Sequence, residues 1–169
     1  MSLVDASVGL DGYSLDMTTI FIDADACPVT RDAIAIARSR SLPVVLVANE
    51  SQNLGRFAGR AGVTILHVGS GRDSADFAMV PLLAPGDIVV TADTGLAAMA
   101  LSRGCRALSP RGRQYFPATI DAELALRHVE QRHRRAGGRT TGPSPFLDED
   151  RAHFRESLAR LLTEDAGNG

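Results

Sequence analysis

The chain has 169 residues, 44% hydrophobic and 22% charged, with a formal net charge of −2; that is enough apolar material for one buried core and too much for a disordered chain. No run approaches the roughly 18 apolar residues of a membrane span, and residues 1–17 hold three Asp and no basic residue, unlike a secretory leader, so a cytoplasmic protein is expected. All 18 basic residues are Arg and none is Lys, which excludes a Walker phosphate loop and lysine Schiff-base chemistry, and two cysteines are too few for a disulfide framework.

In chain order, residues 1–16 show no sustained periodicity and read as a disordered tail. From Thr18 to Asp23 a β-branched and aromatic run reads as a strand buried on both faces. Pro28 at a first helical position, with Ala33, Ile34, Ile36 and Ala37 interleaved among Arg31, Asp32 and Arg38, predicts an amphipathic helix stopping near Pro43. Val44–Ala48 and Val63–Val68 are the second and third strands, with a polar loop and a short helix between them. His67, alternating on the third strand, reads as a buried, satisfied histidine. Asp73 to Leu83 carries Ala75, Phe77, Ala78, Met79, Leu82 and Leu83 on a helical period, and Asp87–Ala92 is strand four. Residues 94–103 form a helix ending at Gly104, and Arg106–Leu108 is a fifth strand. Helices follow at 117–135 and 148–162, joined by a Gly- and Pro-bearing linker, with 163–169 as a disordered tail.

Apolar strands alternating with helices predict an α/β fold: a three-layer sandwich with a mainly parallel sheet of four to five strands, in one domain over 17–162. In such sheets ligands bind beyond the carboxyl ends of the strands, and here those ends are acidic. Strand one closes with Asp23 and Asp25, strand three precedes Asp73 and Asp76, and strand four precedes Asp93. Like charges about 5 Å apart repel by roughly 3 kcal/mol at an effective dielectric near 20. With no Lys to neutralise them, a hard divalent ion, Mg2+ or Mn2+, is the expected counter-charge, with Asp23, Asp25, Asp76 and Asp93 as ligands. That chemistry points to a metal-dependent phosphodiesterase or nuclease.

Asp is also a favoured N-cap, and Asp73, Asp76 and Asp93 all lie near helix starts. Asn49, Ser51 and Thr91 at neighbouring rims are candidates to orient water or phosphate, as turn residues commonly found there also are to form turns. Arg111, Arg113 and Tyr115 combine two phosphate-pairing forks with a stacking ring, or form a plain surface loop. Charge is uneven along the chain: residues 103–139 carry nine Arg against three acids, whereas residues 1–102 carry six against eleven. An acidic half beside a basic stretch is what a metal site serving a polyanion looks like, although the basic stretch taken alone reads as a solvated helix face. Cys27 reads as a packed small residue rather than a nucleophile.

The strings Asp23-Ala24-Asp25-Ala26-Cys27-Pro28, Val47-Ala48-Asn49, Gly71-Arg72-Asp73-Ser74-Ala75-Asp76, Thr91-Ala92-Asp93, Ser109-Pro110-Arg111-Gly112 and Gly142-Pro143 occur in this order. Together they resemble the YaiI/YqxD family of bacterial proteins from about Thr18 to Leu162. That family is similar in turn to the PIN-like superfamily, whose nucleases hold magnesium or manganese at an acidic sheet rim and cut RNA. The resemblance implies that Asp23, Asp73, Asp76 and Asp93 are catalytic acids acting on single-stranded RNA or another phosphate-bearing substrate. Ser109 stands where the family pattern expects Asn.

Two other readings use the same residues. A haloacid-dehalogenase-like phosphatase also opens Asp-x-Asp after a strand, with Asp23 as nucleophile and Asp25 as acid/base, but it wants Thr where Cys27 stands and usually a Lys. A non-catalytic module that binds RNA or a partner predicts Arg-dependent binding without cleavage. A dinucleotide site at Gly69-x-Gly71 places Asp73 and Asp76 where a pyrophosphate would have to lie.

Overall fold

Ile20, Phe21 and Ile22 are all buried, and they alternate between two different cores, Ile20 and Ile22 in one and Phe21 in the other. A strand buried on both faces must lie inside a sheet covered by helices on each side. The computed structural model, which describes residues 17–25, 27–50, 53–71 and 74–166, has that architecture. Six strands form one sheet: β1 (Ile20–Asp23), β2 (Val44–Asn49), β3 (Val63–Val68), β4 (Ile88–Val90), β5 (Arg106–Leu108) and β6 (Gln114–Tyr115). Their order is β3-β2-β1-β4-β5-β6, and every neighbouring pair is parallel except β5 with β6. The two-residue β6 goes beyond the five strands expected, because it is too short to carry a periodic signal.

Among the described residues five α-helices cover the sheet: α1 (Thr30–Ser39), α2 (Ser74–Met79), α3 (Thr94–Ser102), α4 (Pro117–Arg135) and α5 (Asp148–Ala166). One core joins α1 and α5 to the sheet through Ala33, Ala37, Phe154, Leu158 and Leu161. The other joins α2 and α3 through Met79, Leu96 and Ala100, while Ile120 of α4 packs with Ala97 and Tyr115. Gly104 takes φ +79 just past the Arg103 C-cap of α3, and the N–H of Cys105 returns to the carbonyl of Ala100, so the expected glycine stop is present.

Several boundaries differ from expectation. Pro28 precedes the helix rather than opening it, since α1 starts at Thr30 after Val29. The helix predicted over Asp73–Leu83 breaks into α2 and a 3-10 turn at Val80–Leu82, where Pro81 interrupts the ladder. Phe77 and Met79 stand two residues apart on α2 and so face opposite sides: Met79 is buried, as is Leu83 beyond the break, whereas Phe77 is 79% exposed. His67 is exposed, not buried, because β3 is an edge strand. Helix α5 runs on to Ala166, so 163–166 are helical rather than part of a tail. The predicted tail over 1–16 lies outside the described residues.

Candidate functional site

The chain runs β1, β2, β3 outward on one side, then crosses back so that β4 pairs with the other edge of β1. The helical connections from β1 and β4 therefore leave on opposite faces of the sheet, and a crevice opens beyond the carboxyl ends of these two strands. Asp23 is the last residue of β1, and Asp93 lies three residues beyond the end of β4. At that rim is a cleft of about 170 Å³, lined by Asp23, Asp25, Asn49, Asp76 and Asp93 together with Gly69, Gly71 and Ser74. Four of the five predicted acids thus meet in one place. Asp73 and Ser51 lie outside the described residues.

A hydrogen-bonded chain joins the two central acids. The backbone N–H of Asp93 donates to Thr91 Oγ1 at 2.9 Å, and the Thr91 hydroxyl donates to Asp23 Oδ2 at 3.0 Å. Thr91 is 1% exposed. It therefore stands behind the carboxylates and not on the cleft surface, where the expected water- or phosphate-orienting role would need it. Asp93 Oδ1 accepts from the N–H groups of Gly95 and Leu96, so Asp93 is the N-cap of α3 as well as a wall of the cleft. Asp25 Oδ1 accepts from the N–H of Asn49 at 3.1 Å, tying the end of β1 to the end of β2. Asp76 sits in the first turn of α2.

Among the described residues, the second carboxylate oxygen of Asp25 and of Asp93 has no hydrogen bond. Burial pushes the Asp23 carboxyl above its ordinary value; the Thr91 hydroxyl opposes this, and the negative charges of Asp25 and Asp93 reinforce it. The donor set, all oxygen and mainly carboxylate, fits a hard divalent cation in kind. As the side chains stand, no group of three His, Cys, Asp or Glu among the described residues is disposed to hold a metal ion.

The other predicted contacts lie away from the cleft. Arg111 pairs with Asp150 of α5 at 2.8 Å and donates to the carbonyl of Ser144. Arg113 pairs with Glu123 of α4 at 2.9 Å and lies over the Tyr115 ring. Tyr115 is buried, and its hydroxyl donates to the carbonyl of Thr91. Cys27 packs against the α1 core, and burial pushes its thiol up, away from the nucleophilic thiolate.

Two further hollows adjoin the cleft and share Asp93 with it. One, of about 700 Å³, is walled by Arg127, His128, Gln131, Arg134 and Arg135 of α4. The other, of about 520 Å³, is apolar and formed by Phe77, Val80, Pro81 and Met99. Sequence reasoning missed both. The basic wall was visible only as a charge excess, and helical spacing from 124 through 127, 128, 131 and 134 to 135 was the signal that could have placed it on one face.

The family model described as "Uncharacterized BCR, YaiI/YqxD family" matches residues 21–164. A UPF0178 protein of Exiguobacterium sibiricum is 47% identical over 145 residues, covering 86% of this chain and 96% of that protein. UPF0178 proteins of Enterococcus faecalis and Bacillus velezensis are 38% and 39% identical, covering 85% and 88% of this chain and 96% and 88% of theirs. No solved structure matches the chain. Among the described residues no helix is long and apolar enough to cross a membrane.

Proposed function

The chain belongs to the YaiI/YqxD family, and from that premise we propose that it is a divalent-metal-dependent nuclease acting on RNA phosphodiesters. The observation that carries this reading is the meeting of Asp23, Asp25, Asp76 and Asp93 in one cleft at the point where the strand order reverses. The resemblance to PIN-like nucleases supports it, since their acids occupy the same rim. Asp23, Asp25, Asp76 and Asp93 would hold Mg2+ or Mn2+. Such an ion, when bound, activates water and offsets the charge of a phosphodiester.

The chain's own residues do the positioning. Thr91 fixes Asp23 and, through the Asp93 backbone, the start of α3. The two α3 N–H groups hold one oxygen of Asp93 and so orient the other. Asn49, at the end of β2, lines the cleft wall and donates its backbone N–H to Asp25, which holds that carboxylate in place. The two free thiols support a reducing, cytoplasmic setting.

The direct test incubates end-labelled single-stranded RNA with the protein in manganese, in magnesium and in EDTA, beside Asp23→Asn. The expected result is cleavage that needs the metal and falls by at least about a hundredfold in the variant. Cleavage that persists in EDTA or in Asp23→Asn refutes the reading. RNA binding without any cleavage would favour the binding module instead.

A further inference from the structure

The acid cleft is one of three hollows that meet at the start of α3. Asp93 borders all three, and Gly95 borders the other two. On one side the wall is apolar: Phe77 is 79% exposed, and Met99 is 36% exposed beside it. On the other side Arg127, His128, Arg134 and Arg135 line one face of α4. Arg127 is anchored there, its Nη1 donating to Thr94 Oγ1 at 3.3 Å. Arg134 and Arg135 are exposed, and neither forms an ion pair among the described residues.

We infer that these three hollows form one binding track for a single-stranded polynucleotide. Its backbone follows the α4 arginines, and a base beyond the cleft stacks on Phe77. The chemistry of each end selects this occupant. Unpaired guanidinium groups spaced along a groove match successive phosphates and release counterions when they meet them. An exposed ring in an apolar hollow can receive a base face only from a strand whose bases are unstacked, which a duplex does not offer. Neither end alone would choose a polynucleotide, since arginines bind many anions and an apolar hollow many side chains. Their meeting at Asp93 with a cleft suited to a phosphodiester does. The track rests on the proposed nuclease reading for the role of the acid cleft.

Binding of a labelled single-stranded RNA, followed by fluorescence anisotropy in EDTA, tests the track without cleavage. The variants are Arg134→Ala/Arg135→Ala and Phe77→Ala, all at exposed positions, with folding checked by circular dichroism. The arginine pair should weaken binding by about tenfold or more and lower the slope of log affinity against log salt by about 1.4, two phosphate contacts' worth on a single strand. Phe77→Ala should weaken binding by about tenfold with the salt slope unchanged, because stacking displaces no counterions. Unchanged affinity in the arginine pair, or a blunt RNA duplex bound as tightly as the single strand, overturns the track. Absence of metal-dependent cleavage with these binding losses intact overturns the nuclease reading alone.

Discussion

Asp23 carries two loads at once: it ends a buried strand, and it faces Asp25 and Asp93 across the cleft. Its carboxyl is held above the ordinary value, so between the unfolded and the folded pKa the native state binds more protons than the unfolded one. Stability therefore falls as pH rises through that window, is free of this cost below about 3.9, and bears all of it once pH has passed the folded value. Asp23→Asn should raise the melting temperature of the metal-free protein at pH 7, with the gain shrinking as pH falls towards 4. Asn keeps an oxygen for the Thr91 hydroxyl, so the hydrogen bond at 3.0 Å survives the change. Thermal unfolding in EDTA across that pH range checks this, and a variant less stable than wild type at pH 7 contradicts it. Asp93 shows why residue roles were only half legible from sequence. Its position before a helix argued for a cap and its position after a strand argued for the site, and it serves as the first while lining the second.

At the scale of elements, the loop after β5 misled because its chemistry was read without knowing what would pack on it. Arg111, Gly112 and Arg113 resemble a phosphate-binding turn, yet Arg111 holds α5 through Asp150, and its carbonyl accepts from His153 Nδ1 at 2.9 Å. Gly112 has φ +84, and a Cβ there would stand 2.7 Å from the backbone of His153 and Phe154. The short motif is thus a seat for α5. A second seat is Asp32 of α1, buried and paired with both Arg151 and Arg155 of the same helix. A single sequence gives no sign of such pairings, which join positions over a hundred residues apart. Gly112→Ala should cost at least about 2 kcal/mol, combining left-handed strain with the backbone clash. Gly59→Ala is the control: φ is +74 there but no atom lies within 4 Å, so it should cost only about 1 kcal/mol. Urea unfolding of the two variants decides, and equal losses would contradict the seat.

For the whole molecule, the parallel α/β plan was legible because strands buried on both faces leave unbroken apolar runs, as Val44–Ala48 and Ile20–Ile22 do. The acid rim followed from the plan, since the ends of β1, β3 and β4 could be counted along the chain. What could not be read was lateral arrangement. Nothing in a linear pattern says that β1 lies between β2 and β4, or that α3 and α4 pack so that a basic helix face borders Asp93. The cleft and the hollows beside it arise from that arrangement, and the nuclease proposed for it requires a dication to bind among its acids. The most direct measurement is the melting temperature of wild type, Asp23→Asn and Asp93→Asn in EDTA and at rising manganese. Wild type should climb with concentration, as any ligand restricted to the folded state requires, while both variants stay flat. A wild-type curve that does not move through millimolar manganese, or variants that climb alongside it, would refute a dication held by these acids.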